Sequence, residues 1–193
     1  KNVIANIRKS TIRGYSSDMK VKFCLFDFES AAKIGDPIDD RGDYRYWEPG
    51  RFTGQYKEFT QDVDLYALGV ILYQQMNGGR FPYTGDTKEA YAAAVAKGEY
   101  TIDEKVPPEL AAVVVMMLNA DRFKRLTVSD LINAFEELSL MDKNRKLTKP
   151  LTVNNNLPVP DELTSQIDTF KAPHIFQYLK ERNPALNQTK SSS

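Results

Sequence analysis

Two carboxylates in this 193-residue chain stand where an acid has chemistry to offer. Asp27 ends a strand-like run and is flanked by Phe26 and Phe28. A carboxylate among aromatic rings is expensive to bury alone, so it calls for a cation, a metal or several N–H donors. The plainer reading is a strand-end Asp that caps the next turn. Asp64 stands near the head of the stretch 60–79, TQDVDLYALGVILYQQMNGG. Three further groups are spaced along the chain: Asn2 ahead of Val3-Ile4, Glu48-Pro49-Gly50 after the aromatic cluster Tyr44, Tyr46 and Trp47, and Arg125 within Asp121-Arg122-Phe123-Lys124-Arg125-Leu126-Thr127.

The elements that must position these groups are mostly helical. The stretch 60–79 is apolar on nearly every face of a helix, which predicts a central helix packed inside the protein. Thr60 is its expected N-cap, Asp62 and Asp64 suit the positive end of its dipole, and Gly78-Gly79 stops it. Residues 89–96 are alanine-rich and end at Gly98, and residues 109–119 are strongly apolar after Pro107-Pro108. Thr127 and Asp130 have the spacing of a capping box for a helix with Leu131, Ile132, Ala134, Phe135 and Leu138 on one side. Before these, Val3 to Ile7 and Val21 to Phe26 are strand candidates that pair as a hairpin across a polar connection. No strand is expected after Trp47. From about Met141, Lys, Asn and Pro accumulate, which reads as a linker or surface extension followed by one amphipathic piece over 161–179.

Composition narrows the function. Lys plus Arg and Asp plus Glu balance at 26 each, so no overall field draws the chain to nucleic acid or to an anionic membrane. The longest apolar runs fall well short of the ~20 residues that span a bilayer. The single cysteine, Cys24, excludes an internal disulfide and fits an intracellular, cytoplasmic setting. Because the sequence starts at Lys1 inside a strand-like run, it reads as a piece of something larger.

Taken in order, these motifs resemble the C-terminal lobe of the eukaryotic-type protein kinase family, over about residues 1–140, with 141–193 outside it. Asp27-Phe28-Glu29 is similar to the Asp-Phe-Gly motif whose Asp holds magnesium against nucleotide phosphates. Residues 42–50 resemble the segment that closes the activation loop, with Glu48-Pro49-Gly50 at the Ala-Pro-Glu positions. Asp64-Leu65-Tyr66-Ala67-Leu68-Gly69 looks like the family's Asp-Val-Trp-Ser-Leu-Gly helix. Gly79-Arg80-Phe81-Pro82-Tyr83 resembles the Gly-x-x-Pro-Phe turn, and 121–127 the Asp-Pro-x-x-Arg-Leu-Thr signature. The resemblance implies a mainly α lobe with a small β-hairpin. It implies ATP and magnesium as cofactors, with Asn2 and Asp27 as the metal-binding and nucleotide-binding residues. The catalytic Asp and the N-terminal lobe are expected upstream of Lys1. Asp64 is implied to hold the catalytic loop through that loop's backbone.

Departures from the family pattern bear on activity. Glu29 replaces a glycine whose free φ lets the loop take its magnesium-bound arrangement, and it adds negative charge beside the phosphate site. Gly50 replaces the Glu that normally pairs with the arginine matched by Arg125, and Glu48 is expected to supply that carboxylate instead. Asp43 stands where the family commonly has Thr. A pseudokinase acting as scaffold or regulator on a protein partner follows from these changes. The alternatives are an active Ser/Thr kinase and a structural subunit of a larger assembly.

Overall fold

The computed structural model describes residues 3–8, 20–25, 28–142 and 144–182. It divides into two units, Lys1–Lys33 and Ile34–Ser193. In the first, β1 (Val3–Arg8) and β2 (Lys20–Leu25) form a two-stranded antiparallel sheet in which Val3 faces Leu25 and Arg8 faces Lys20. A one-turn 3-10 helix, Phe28–Ser30, follows. Asn2 and Asp27 lie outside the described residues.

The second unit is helical: α1 (Pro49–Phe52), α2 (Gln61–Met76), α3 (Lys88–Lys97), α4 (Pro108–Met117), α5 (Val128–Ser139), α6 (Asp161–Thr164) and α7 (Pro173–Arg182). The helix buried on every side is α4, where all residues but Leu110 are buried. Helix α2, expected in that role, buries one face: Leu65, Tyr66, Gly69, Val70 and Tyr73. Leu68 on its other side is 37% exposed. The sequence carries this difference: Glu109 is the one charged residue of α4, whereas Asp and Gln residues occupy the ends of α2. The two helices touch closely at Gly69, where an added Cβ would lie 2.9 Å from Cβ of Met117.

Helix ends follow side-chain chemistry. At α5, Thr127 Oγ1 accepts from the Asp130 N–H (3.2 Å) and Asp130 Oδ2 accepts from the Thr127 N–H (2.9 Å), a reciprocal cap. Thr87 Oγ1 accepts from the Ala90 N–H at α3 (3.2 Å), and Gly98 ends that helix in the left-handed region at φ 74°. Thr60 does not cap α2 through its side chain; its hydroxyl donates to Asp62 Oδ2 instead (3.0 Å).

Two strands appear where none was expected. β3 (Glu99–Ile102) pairs antiparallel with β4 (Leu151–Asn154), so that Tyr100 faces Val153 and Ile102 faces Leu151, all four buried. Each strand is only four residues long, and their partners are far apart in sequence, so neither leaves a local hairpin signal. Among the described residues after 140, Leu163, Ala172, Ile175 and Leu179 are fully buried against the helical core. The single amphipathic piece expected over 161–179 is instead two helices, α6 and α7, the second opening at Pro173.

Two carboxylates of the lobe hold this segment by its backbone. Glu109 Oε1, on α4, accepts from the Asp168 N–H (3.0 Å) and pairs with Arg145. Glu137, on α5, accepts from the N–H groups of His174 (2.8 Å) and Ile175 (3.0 Å) at the start of α7. A carboxylate facing the free N–H groups of a helix end also opposes the positive end of its dipole.

Candidate functional site

The site is built outward from the segment 43–50. Asp43 accepts from the Arg45 N–H (3.1 Å) and so caps a 3-10 turn, Tyr44–Tyr46. Its carboxylate also takes both ends of the Arg45 guanidinium, Nε to Oδ1 at 2.9 Å and Nη2 to Oδ2 at 2.6 Å. The acid at the family's Thr position is thus matched by a local cation. Trp47 donates its ring N–H to the Arg41 carbonyl (3.2 Å), with the Arg51 guanidinium 3.9 Å from the ring centroid on one contact and Lys88 Nζ 4.4 Å on another.

Pro49 opens α1, and the residue before it, Glu48, makes no cap. Its side chain turns inward and is fully buried. Glu48 Oε2 lies 2.6 Å from Arg125 Nη1, and Glu48 Oε1 pairs with Arg122 Nη2. Arg125 spends its remaining donors on main-chain oxygens: Nε on Asn119 (2.9 Å), Nη1 on Asp62 (3.1 Å) and Nη2 on Ala120 (3.4 Å). Its guanidinium also lies 4.9 Å from the Tyr66 ring centroid. Arg122 stacks on Tyr56 at 3.7 Å, while its Nε is buried without a partner among the described residues. One carboxylate therefore joins two guanidiniums, the segment 43–50, and the first turn of α2.

Gly50 explains why the carboxylate sits at 48. A Cβ at position 50 would overlap the Tyr56 ring, and the Tyr56 hydroxyl accepts from the Arg122 N–H (3.2 Å). The ring occupies the space that a side chain at 50 needs. Glu48 and Arg125 are legible from the sequence; the role of Arg122 emerges only from the structure. The signal available was a second cation three residues before Arg125, with an aromatic residue, Tyr56, left to cover it.

Asp64 lies in the first turn of α2 on its solvent side, and no donor among the described residues reaches it. Partial burial raises its carboxyl from the ordinary value. Glu29 and Phe28 are both exposed within their 3-10 turn. Among the described residues no group of three or more His, Cys, Asp or Glu side chains is placed to hold a metal, and no helix is long and apolar enough to cross a membrane. The structure brings Glu48 and Arg125 together; Asn2 and Asp27 are outside what it describes.

Parts of this sequence are similar to known proteins. The family described as protein kinase domain matches residues 13–135. Sperm motility kinase Z of Mus musculus is 27% identical over 142 residues, covering 73% of this chain and 28% of its own length. The serine/threonine-protein kinase PLK1 of Xenopus laevis is 35% identical over 77 residues, 40% of this chain and 13% of the relative. The serine/threonine-protein kinase SIK2 of Gallus gallus is 28% identical over 116 residues, 60% of this chain and 14% of the relative. The chain thus spans less than a third of each of these relatives.

Removing Glu48 strands two buried cations, whereas removing Arg122 leaves the Glu48–Arg125 pair whole. Glu48→Gln is therefore expected to lose about 3–5 kcal/mol in urea denaturation and Arg122→Met clearly less. Equal losses would contradict this geometry. For Asp64 the raised carboxyl means that the ionised form lowers stability above that raised value and has no effect below the ordinary 3.8. Asp64→Asn should leave the melting temperature at pH 7 unchanged or higher, with any gain gone once the pH falls below about 3.5. A lower melting temperature at pH 7 would show instead that the charge is satisfied.

Proposed function

The chain belongs to the protein kinase domain family, and from that premise we propose that it is the C-terminal lobe of a kinase-like protein with degraded phosphoryl transfer, serving as a scaffold or regulator for a protein partner. The observation that carries this reading is the turn at 28–30. Glu29 takes the position of the family's motif glycine, and here it is wound into a 3-10 turn with its side chain in solvent. Phe28 beside it is 67% exposed. A glycine there would reach positive φ without strain; a glutamate would not. Phosphoryl transfer rests on positioning and on stabilising negative charge, so an acid beside the phosphates works against both. With magnesium and ATP assigned to Asn2 and Asp27, this charge favours weak binding with little turnover. The balanced charge of the chain supports a protein partner over nucleic acid.

An active Ser/Thr kinase is the second reading, favoured by the Glu48–Arg125 pair, which supplies a carboxylate to that arginine from another position, and by the relatives' own names. Bound magnesium–ATP would supply the phosphoryl group, and the role left to this chain would be holding the activation segment through Glu48.

The test is made on the protein that carries this lobe together with the rest of its kinase domain. Thermal shift with ATP, with and without magnesium, should give a small magnesium-dependent rise, and labelled phosphate transfer should be undetectable. Glu29→Gly should tighten ATP by no more than about fivefold, the ceiling for removing one unit charge even at about 4 Å in water. Turnover by the unaltered protein in the ordinary kinase range of about 1–100 per second would overturn the reading in favour of an active enzyme.

A further inference from the structure

Asn155 lies beyond the family-matched residues 13–135, in a run of three asparagines that looks like a polar surface turn. It is instead 4% exposed. Its N–H donates to the Gly98 carbonyl (2.9 Å), and its side-chain Nδ2 donates to the Tyr83 hydroxyl (2.7 Å) and the Leu118 carbonyl (3.1 Å). A Cβ at Gly98 would overlap the Asn155 amide, so the left-handed glycine that ends α3 also makes room for it.

From Tyr83 a continuous aromatic path leads to the segment 43–50. The Tyr83 ring meets Tyr91 edge-to-face, centroids 6.2 Å apart at 89°. Tyr91 donates its hydroxyl to the Arg45 carbonyl (3.0 Å), and its ring meets that of Tyr44 at 5.5 Å and 67°. Tyr83 and Tyr91 are 3% and 2% exposed, so neither ring has space to move unless its neighbours do. Burial pushes the Tyr83 hydroxyl well above its ordinary value. It therefore stays protonated and accepts from Asn155. The Tyr83 and Tyr91 hydroxyls thus each have a hydrogen bond that helps fix the ring.

We propose that Asn155 is a positioning residue for the segment that closes the activation loop, holding the turn Tyr44–Tyr46 through Tyr83 and Tyr91. The segment after the family-matched region is then part of the machinery that shapes residues 43–50. That consequence for kinase-like binding rests on the reading above; the coupling itself does not, and it is measured without nucleotide or substrate.

Amide hydrogen exchange on the 193-residue chain tests it. The N–H groups of Tyr46 and Trp47 are bonded to the carbonyls of Asp43 (3.1 Å) and Tyr44 (3.0 Å) and report on the turn. Asn155→Ala should speed their exchange on the order of tenfold, while amides of α5 such as that of Leu131 stay within about twofold of the unaltered chain. Leu179→Ala, a packing loss in α7, should produce no such selectivity. In a Tyr83→Phe background the Asn155 substitution should add nothing further. Asn155→Leu, which keeps a similar size and loses both polar side-chain atoms, repeats the measurement if the alanine variant does not fold. Uniform acceleration across α5 and the turn, or additive effects of the two substitutions, would overturn the proposal.

Discussion

The buried carboxylate of Glu48 is the constraint on which the second unit depends. Taking one carboxylate and two guanidiniums out of water is unfavourable unless nearly every hydrogen-bonding position is filled. Here the filling is almost complete: Arg125 alone reaches three main-chain oxygens besides Glu48, one of them on Asp62 in the first turn of α2. Pieces far apart in sequence are thereby fixed to one point. The exception is Arg122 Nε, and a guanidinium stacked on Tyr56 is better able to tolerate it than an isolated one.

The same physical device recurs at the other end of the unit. Glu109 and Glu137 are also buried acids, and each takes N–H groups from the residues after 140. Between them the apolar side chains of β4, α6 and α7 close over α4 and β3, each fully buried aliphatic side chain contributing about 1.5–3 kcal/mol. Because α4 is enclosed from several sides, the lobe and the segment after it share one core. The aromatic path from Asn155 to Arg45 runs through that shared core.

What was legible in the sequence was local. The hairpin partners declared themselves by β-branched and aromatic residues, α5 by the Thr127–Asp130 cap, and the end of α3 by Gly98. The family motifs carried the fold class, and the missing acid at Gly50 drew attention to Glu48. What stayed hidden needed the third dimension. β3 and β4 are too short to show a period, and their pairing joins residues about fifty apart. Asn155 hid in a polar run, because composition does not reveal that one amide of three points inward. Arg122 hid because only the stacked Tyr56 ring and the shared Glu48 make a buried arginine tolerable at that place. Helix α4 is the more continuously apolar of the two, and its enclosure was legible in that difference from α2.

The central claim is that Glu48 carries the carboxylate because Tyr56 fills the space at position 50. The direct measurement moves the acid back: Glu48→Ala combined with Gly50→Glu, compared with Glu48→Ala alone by urea denaturation. The account predicts that the double variant is no more stable than the single one, since the new side chain collides with the Tyr56 ring before it can reach Arg125. Recovery of the unaltered chain's stability by the double variant would contradict it.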